Sequence, residues 1–338
     1  MTHTSHILTK DMNFLEKTDH TNLYSPKGFG AYLKNGDMGE LEQKALTSES
    51  GSGGVLLPEN DQDIVQGELL TLSPMRQVSS QTTISSPTLD LLLSPQGGDV
   101  GWVLETDERG ETKEPVLSKI SITTHELYAK PRATQRLLDD SKIDVESWLR
   151  SQISTSISRA ENAAFTHGDG ARQPRGFLSV NQKFNASGTG LETMKTGKPG
   201  SLGENPVDLL IALYYKLPQW YMGDACWMMP RSMLPLIKSL KIGENYIWSP
   251  ATSQGLHDLL LGQKVVLNDD MPSPNGQSSS VSLAFGNFKS GYRIVDRDGI
   301  QTLRDPYSSK PYVEFYTTKR VGGDVVDFDA IKLLFLGE

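Results

Sequence analysis

Apolar residues along this chain recur with two different periods, and together they predict an α+β protein. Val145, Trp148, Leu149, Ile153, Ile157, Ala160 and Ala164 are spaced by three and four, which predicts one long helix over Ser141–Phe165 with Asp144 as its N-cap. Its opposite face is Ser, Gln and Thr with few charges, a surface suited to partial cover by a neighbour. Gly168-Asp169-Gly170 should end the helix, with Gln173-Pro174-Arg175-Gly176-Phe177 following as a turn.

Period-two and short apolar runs mark the strands. Val78–Ile84, Thr88–Leu93, Val100–Leu104 and Ile120–Leu127 are strand-like. A shorter amphipathic stretch, Asp63–Met75, predicts a helix ending near Pro74. Between Val100–Leu104 and Ile120–Leu127 lies a charged tip, Glu105 to Glu114, with too few apolar residues to pack on its own domain. A long two-stranded projection of this kind is marginal in water unless something covers it, although a flexible surface hairpin fits the same pattern.

Ser290–Tyr307 predicts strand, turn, strand and loop tip. Ile294, Ile300 and Leu303 flank a tight Asp298-Gly299 turn, and Asp305-Pro306 breaks the chain before a strand run at Tyr312–Thr318. Charges crowd the turns, and alone the pattern is also that of a solvated hairpin. Asn205 and Pro206 open a helix that runs toward Pro218. Strands at Ala225–Met229 and Lys264–Leu267, a helix near Met233–Leu240 and a last apolar run at Asp327–Leu336 predict an α/β lobe, with 269–274 as a loop.

The N-terminal 50 residues differ from the rest of the chain. They are polar, lack sustained periodicity and hold three of the six histidines, His3, His6 and His20, at irregular spacing with no cysteine partner. This predicts an extended arm, disordered in isolation, rather than a metal site.

Composition bounds the function. With 338 residues, 37% hydrophobic and 22% charged, the chain is long enough for about two lobes. A net charge of -8 and a pI near 5.4 argue against a protein that grips phosphate backbones. The single cysteine, Cys226, excludes an intramolecular disulfide, and its neighbours Ala225, Trp227, Met228 and Met229 predict a buried apolar position. A cytosolic site of synthesis fits. No run approaches the ~20 apolar residues that cross a bilayer, and the N-terminus lacks the apolar core of a secretory signal.

Signatures for nucleotide, zinc or acyl-transfer chemistry are absent from the sequence. His125-Glu126 is the one His-acid neighbour pair of note, but adjacent strand residues face opposite sides. His167 and Asp169 sit where they would cap or solvate a helix end. The expectation is a protein that is not an enzyme, with no catalytic residues, no cofactor and no metal.

Four landmarks occur in order: the small-residue run and apolar-proline step Gly51-Ser52-Gly53-Gly54-Val55-Leu56-Leu57-Pro58-Glu59, the charged hairpin, the long helix with its Gln173-Pro174-Arg175-Gly176 turn, and Ala284-Phe285-Gly286-Asn287-Phe288-Lys289-Ser290-Gly291-Tyr292 leading into the last hairpin. In this order the chain, over roughly residues 28–338, resembles the major capsid proteins of tailed bacteriophages, whose fold is shared with gene-transfer-agent capsids and encapsulin shells.

The resemblance implies an N-terminal arm (1–57), a peripheral lobe (58–96, 131–204 and 292–320) with the long helix as its spine, an extended loop (97–130) and an axial lobe (205–291 and 321–338). It implies a shell subunit whose copies form hexamers and pentamers of an icosahedral head enclosing double-stranded DNA. The virion would be the protein's location and the host bacterial cytoplasm its place of assembly. Expected partners are further copies of the chain, with scaffolding, portal, maturation protease and decoration proteins beyond them, and no membrane.

The inter-subunit residues expected are Glu105, Asp107, Glu108, Arg109 and Lys113 on the extended loop and Arg304, Asp305 and Lys310 at the peripheral tip; their simpler role is solubility. An encapsulin-type nanocompartment is the alternative. Many family members carry a charged helical scaffolding segment ahead of the arm. It is not seen here, which leaves a processed chain, a separate scaffold or a sufficient short N-terminus. One type of member joins subunits by a Lys-Asn isopeptide bond. Lys113 and Lys119 are available in the loop, yet no asparagine comes after Asn287, so no such crosslink is expected.

Overall fold

Two long antiparallel strands and one long helix position everything else in the molecule. The computed structural model describes residues 55–56, 73–93, 118–134, 145–180, 182–183, 190–250, 258–274 and 279–337. The chain opens with β1 (Val55–Leu56), α1 (Pro74–Val78), β2 (Ser80–Ile84), β3 (Thr88–Leu93), β4 (Ser118–Thr123), β5 (His125–Ala129) and β6 (Arg132–Thr134). After α2 (Val145–His167) come β7 (Gln182–Lys183), β8 (Leu191–Lys195), α3 (Pro206–Tyr215), β9 (Cys226–Met229) and α4 (Leu234–Lys238). Short strands β10 (Lys241–Ile242), β11 (Asn245–Tyr246), β12 (Trp248–Ser249) and β13 (Leu259–Leu260) lead to β14 (Gln263–Leu267) and β15 (Ser280–Gly286). The chain closes with α5 (Phe288–Gly291), β16 (Tyr292–Asp305), β17 (Tyr312–Val325) and β18 (Ile331–Leu336).

Among the described residues, β16 and β17 form the spine of a six-stranded sheet. β16 takes β1 antiparallel and β2 parallel on its free side, and β17 takes β5 and β6. β17 alternates regularly, with Val313, Phe315, Thr317, Lys319 and Val321 turned inward.

The tight turn expected at Asp298-Gly299 is instead a bulge inside one continuous strand. Arg297 pairs with Arg320 and Gln301 with Thr318, so three residues of β16 oppose Lys319 alone. Asp298 takes φ +55°, a left-handed conformation that Asp tolerates better than most residues, and both flanks of the bulge stay paired to β17. The reversal comes after Asp305, as Asp305-Pro306 suggested, and β17 runs past Thr318 to Val325.

Other boundaries moved for identifiable reasons. Where the helix expected over 63–75 should end, near Pro74, α1 begins instead: Ser73 caps it through Arg76 N–H and proline at the first position gives up no needed donor; residues 63–72, and with them the expected helix, lie outside the described residues. The run Ile120–Leu127 is broken at Thr124, whose N–H donates to Pro87 O at 3.0 Å, so β4 pairs with β3 and β5 joins β17. On β5, His125 is half-buried and Glu126 exposed, on opposite faces as expected. The helix expected near Met233–Leu240 is a 3-10 turn, Arg231–Met233, followed by α4.

The eight-stranded sheet, ordered β12-β13-β14-β9-β15-β18-β8-β7, is covered on both faces. Cys226 and Met228 of β9 join Ala284 and Leu333 in a core that also holds Phe165, Phe177, Tyr292, Ile294 and Val321. Trp227 and Met229 point the other way, with Leu283, Phe285, Leu334 and Leu336, onto Leu210 and Leu213 of α3 and Ile237 of α4. Two-sided burial explains the uninterrupted apolar reading of Cys226–Met229. Cys226 is a free thiol, and burial pushes its pKa up to about 12.

The long helix α2 starts at Val145 and ends two residues beyond Phe165. Leu149, Ile153, Ile157 and Ala164 are buried as expected, but Trp148 is 39% exposed and Ala160 is exposed. Ser154, Ser158, Glu161 and Asn162 take buried positions instead. Val145's side chain and Asp144 lie outside the described residues.

Candidate assembly surfaces

Two of the landmark motifs, the turn at 173–176 and the segment 284–292, meet in space as structural joints. At the end of α2, Gly168 N–H donates to Ala164 O and Gly176 N–H to Gly168 O, folding 173–176 back against the helix. A Cβ on Gly176 would lie 2.5 Å from His167 N and from Thr166 C and O, all backbone, so no side chain fits. Arg175 N–H donates to Gly323 O of β17, and its own carbonyl accepts from the Tyr292 hydroxyl at 2.8 Å. Phe177 meets Phe288 edge-on with centroids 5.5 Å apart. Asn287 caps α5 through Ser290 N–H and reaches Tyr221 O at 3.2 Å, tying the second motif to the 3-10 turn Gln219–Asp224 that leads into β9.

A polar seam joins α2 to the eight-stranded sheet. The Asn162 side chain accepts from Ser73 Oγ–H and Met75 N–H and donates to Asn268 Oδ1 at 2.8 Å and Asp270 Oδ2 at 2.5 Å. Asn268 donates onward to Thr166 Oγ1 at 3.1 Å. His167, at the exposed helix end, contacts Asp270 O beyond β14 rather than a carbonyl of α2, and Asp169 accepts from the N–H groups of Ala171 and Arg172 in the turn that follows, so neither caps the helix as the sequence suggested.

At the tip of β16–β17, Asp305 folds the loop: its carboxylate accepts from Tyr307 N–H, Ser308 N–H and the Ser308 hydroxyl. The Ser308 hydroxyl and the two N–H groups hold its pKa below the usual carboxylate range. Arg304 is half-buried and Lys310 exposed. Asp305 therefore has a loop-closing role that the sequence reading missed.

The outward face of the same sheet carries a groove of about 330 Å³ lined by Tyr128, Lys130, Leu303, Asp305, Glu314 and Tyr316. Leu303 pairs with Tyr316 and Asp305 with Glu314, so these are the outward positions of adjacent strands. Tyr128 and Tyr316 lie 6.1 Å apart, and Lys130 Nζ stands 5.2 Å from the Tyr316 ring. Tyr128 is 63% and Leu303 40% exposed. Arg132 covers the neighbouring Tyr312 at 5.0 Å. The outward phase of the period-two strands could have identified this aromatic face from sequence.

Glu105, Asp107, Glu108, Arg109 and Lys113 lie outside the described residues. The strands that precede and follow them in the chain, β3 and β4, are described. Leu89, Leu91, Leu93, Ile120 and Ile122 share one face and pack with Val295 and Val326. On the other face Asp90 takes Lys119 Nζ at 2.8 Å and the Ser121 hydroxyl at 2.6 Å, and these lower its pKa. Lys119, one of the two loop lysines, is thus engaged at the root.

Beneath the sheet, four charged side chains are buried together. Arg76 donates from Nε to Glu161 at 2.7 Å and forks onto Asp296 at 2.9 and 2.8 Å. Lys319 Nζ stands 2.8 Å from Glu161 and 3.4 Å from Asp296. Burial alone would raise the Asp296 pKa, but the Lys319 charge and Arg76 hydrogen bonds bring it down to about 2. Burial likewise opposes the charge on Arg76, and Glu161 and Asp296 more than offset it, raising its pKa.

Among the described residues no group of three or more His, Cys, Asp or Glu side chains could hold a metal ion, and no helix is long and apolar enough to cross a membrane.

Comparison with known proteins accounts for the architecture. The phage capsid family profile matches residues 53–335. The capsid of an empty gene-transfer-agent (GTA) particle, computed with C5 symmetry, aligns with a TM-score of 0.71 at 34% identity, over 88% of this chain and 97% of that one. The capsid of the native GTA particle aligns at 0.68 and 33%, over 89% and 99%. Gordonia phage Cozz shares the fold at 0.51 and 11%, over 79% and 87%. The major capsid protein of Escherichia phage T5 is 23% identical over 289 residues, which is 79% of this chain, and the chain spans 57% of that protein's length. The encapsulin alternative is not favoured by these matches. Profile, fold and sequence agree that the chain belongs to the phage capsid family, among the major capsid proteins of phages and gene transfer agents.

Proposed function

We propose that copies of this chain form hexamers and pentamers that close into an icosahedral shell around double-stranded DNA, held by noncovalent overlap alone. The observation that carries this reading is the exposed aromatic groove on the six-stranded sheet, on a chain whose sequence also places a charged segment between the paired strands β3 and β4. Tyrosine and arginine are the residue types that anchor interfaces, and here Tyr128, Tyr316, Tyr312 and Arg132 stand together.

In this reading the segment between β3 and β4 of one copy lies over the six-stranded sheet of the next, whose β5 takes residues 125–129 out of the 97–130 loop that the resemblance implied. Glu105, Asp107 and Glu108 meet Lys130 and Arg132 there, and Arg109 and Lys113 meet Asp305 and Glu314. Arg304 and Lys310 contact a third copy at the tip. Residues 205–291 and 321–338 gather around the capsomer axes, and the arm, 1–57, lies across a neighbour. Heterologous contacts of this kind close only when the local rotation is right, so one chain occupies several environments. With a net charge of -8 the shell encloses nucleic acid without gripping it. The subunits assemble in the host cytoplasm, with scaffolding, portal, maturation protease and decoration proteins acting on the same shell, and the chain performs no catalysis.

The test is expression of the chain alone, then with a candidate scaffold, followed by light scattering and negative-stain electron microscopy. Rings or closed shells are expected, with a single band on denaturing gels. A protein that stays monomeric throughout overturns the shell reading, and covalent ladders overturn the noncovalent one.

A further inference from the structure

The buried four-charge cluster sits at the bend of the long ribbon. Lys319 is the residue that faces the three-residue bulge of β16, and Asp296 lies two positions before the bulge begins at Asp298. Glu161 comes from α2, and Arg76 from α1. Three elements distant in sequence therefore converge where the sheet changes direction, since a bulge bends its strand and increases the local twist.

Stability does not account for the cluster. The four side chains expose 3%, 0%, 12% and 3% of their area for Arg76, Glu161, Asp296 and Lys319. Buried ion groups of this kind are commonly matched or exceeded in stability by apolar side chains of similar volume. What they supply is direction. The Arg76 fork is planar and bidentate, and it accepts Asp296 in one orientation, whereas apolar contacts permit sliding and rotation. Gln81 closes the remaining side, accepting from Arg76 Nη1 at 3.1 Å and donating to Arg76 O at 2.9 Å.

We infer that Arg76, Glu161, Asp296 and Lys319 form an orientation key that fixes the angle of the β16–β17 ribbon against α2 and so sets the uniformity of the assembled shell. Beyond the bulge the ribbon extends five paired residues, Gln301 to Asp305, ~17 Å at the usual rise per strand residue. A 10° change of angle at the bulge would move the tip and its groove by roughly 3 Å over that length. That is enough to change which neighbour contacts close. The shell part of this inference rests on the function proposed above; the angular part does not.

Two variants and two readouts separate the parts. The first variant replaces the cluster by Arg76→Met, Glu161→Leu, Asp296→Leu and Lys319→Met; the second is Arg76→Lys, which keeps the charge and loses the fork. Spin labels at Gln152→Cys and Lys310→Cys, both exposed positions, report the helix-to-tip distance in the unassembled subunit. Electron microscopy reports particle diameters. The key predicts that the apolar variant folds with an unchanged or higher Tm, while its distance distribution and its spread of particle diameters widen at least twofold. An unchanged distance width overturns the key. A widened distance with unchanged diameters overturns its role in the shell. If the apolar variant does not fold, Arg76→Lys decides by the same two widths. Wild-type subunits that never form particles overturn the proposed function, and the distance measurement still decides the key.

Discussion

The Asn162 side chain on α2 and the Asn268 side chain at the end of β14 are joined amide to amide across 2.8 Å. This contact is the centre of a seam in which each polar atom has a partner from another element. Asn162→Leu would leave Met75 N–H and the Ser73 hydroxyl without their acceptor in a buried site, while Asn268 Oδ1 would keep only Asp270 N–H at 3.2 Å. A loss of about 3 kcal/mol in subunit stability is expected, read by chemical denaturation with the m-value unchanged.

Tyr128→Ala and Tyr316→Ala should separate folding from assembly. Tyr128 is mostly exposed, so its removal is expected to change monomer stability by no more than about 0.5 kcal/mol. Particle yield, followed by light scattering, should fall at least tenfold for the pair. Normal yield would remove the groove from the assembly contacts.

Arg109→Glu is expected to impair assembly while the circular dichroism spectrum and Tm of the monomer stay unchanged. Particles of normal yield and size from this variant would count against the loop's role.

Asp296 should appear in the acid limb of stability. Its folded pKa, about 2, lies below the ordinary carboxylate value of 3.8. The ionised group therefore stabilises the fold in full above about pH 4 and loses that contribution as pH falls toward 2, about 2 kcal/mol in all. Asp296→Asn should flatten this limb, and at neutral pH should cost about 3–5 kcal/mol by leaving two buried cations against one carboxylate. Denaturant melts of both proteins between pH 2 and 7 read both effects.

Gly176→Ala should cost more than its one methyl suggests. The added carbon would meet the backbone of Thr166 and His167, which is held by hydrogen bonds from Phe177 N–H and Leu178 N–H to the last turn of α2. A fall of at least about 2 kcal/mol in stability is expected from such an overpacked site.

Elements with their own periodicity were legible in the sequence. The α+β class, the long helix, Thr88–Leu93, Cys226–Met229 and the motif turns stand close to where the pattern put them, because local spacing and local turn chemistry determine them. What escaped is decided by partners far along the chain. Ser154, Ser158, Glu161 and Asn162 fall outside the apolar stripe of α2, yet all four are buried, Glu161 against Arg76 and Lys319 and Asn162 against Ser73 and Asn268. Asp298-Gly299 reads as a hairpin turn, and only pairing to β17 on both flanks makes it a bulge. Tyr128 and Tyr316 passed unnoticed because an outward aromatic gains meaning only beside its cross-strand neighbours.

The parallel pairing of β2 with β16 also fixes an order of events during synthesis. Ser80 waits for Arg293, and Val55 for Thr302, so the six-stranded sheet stays open until the last quarter of the chain leaves the ribosome. Such non-local pairing is slow to form and exposes strand edges meanwhile. A subunit still attached to its ribosome thus lacks the closed sheet on which the groove is built. In a polysome, nascent copies crowded side by side lack that surface until Tyr316 has been added.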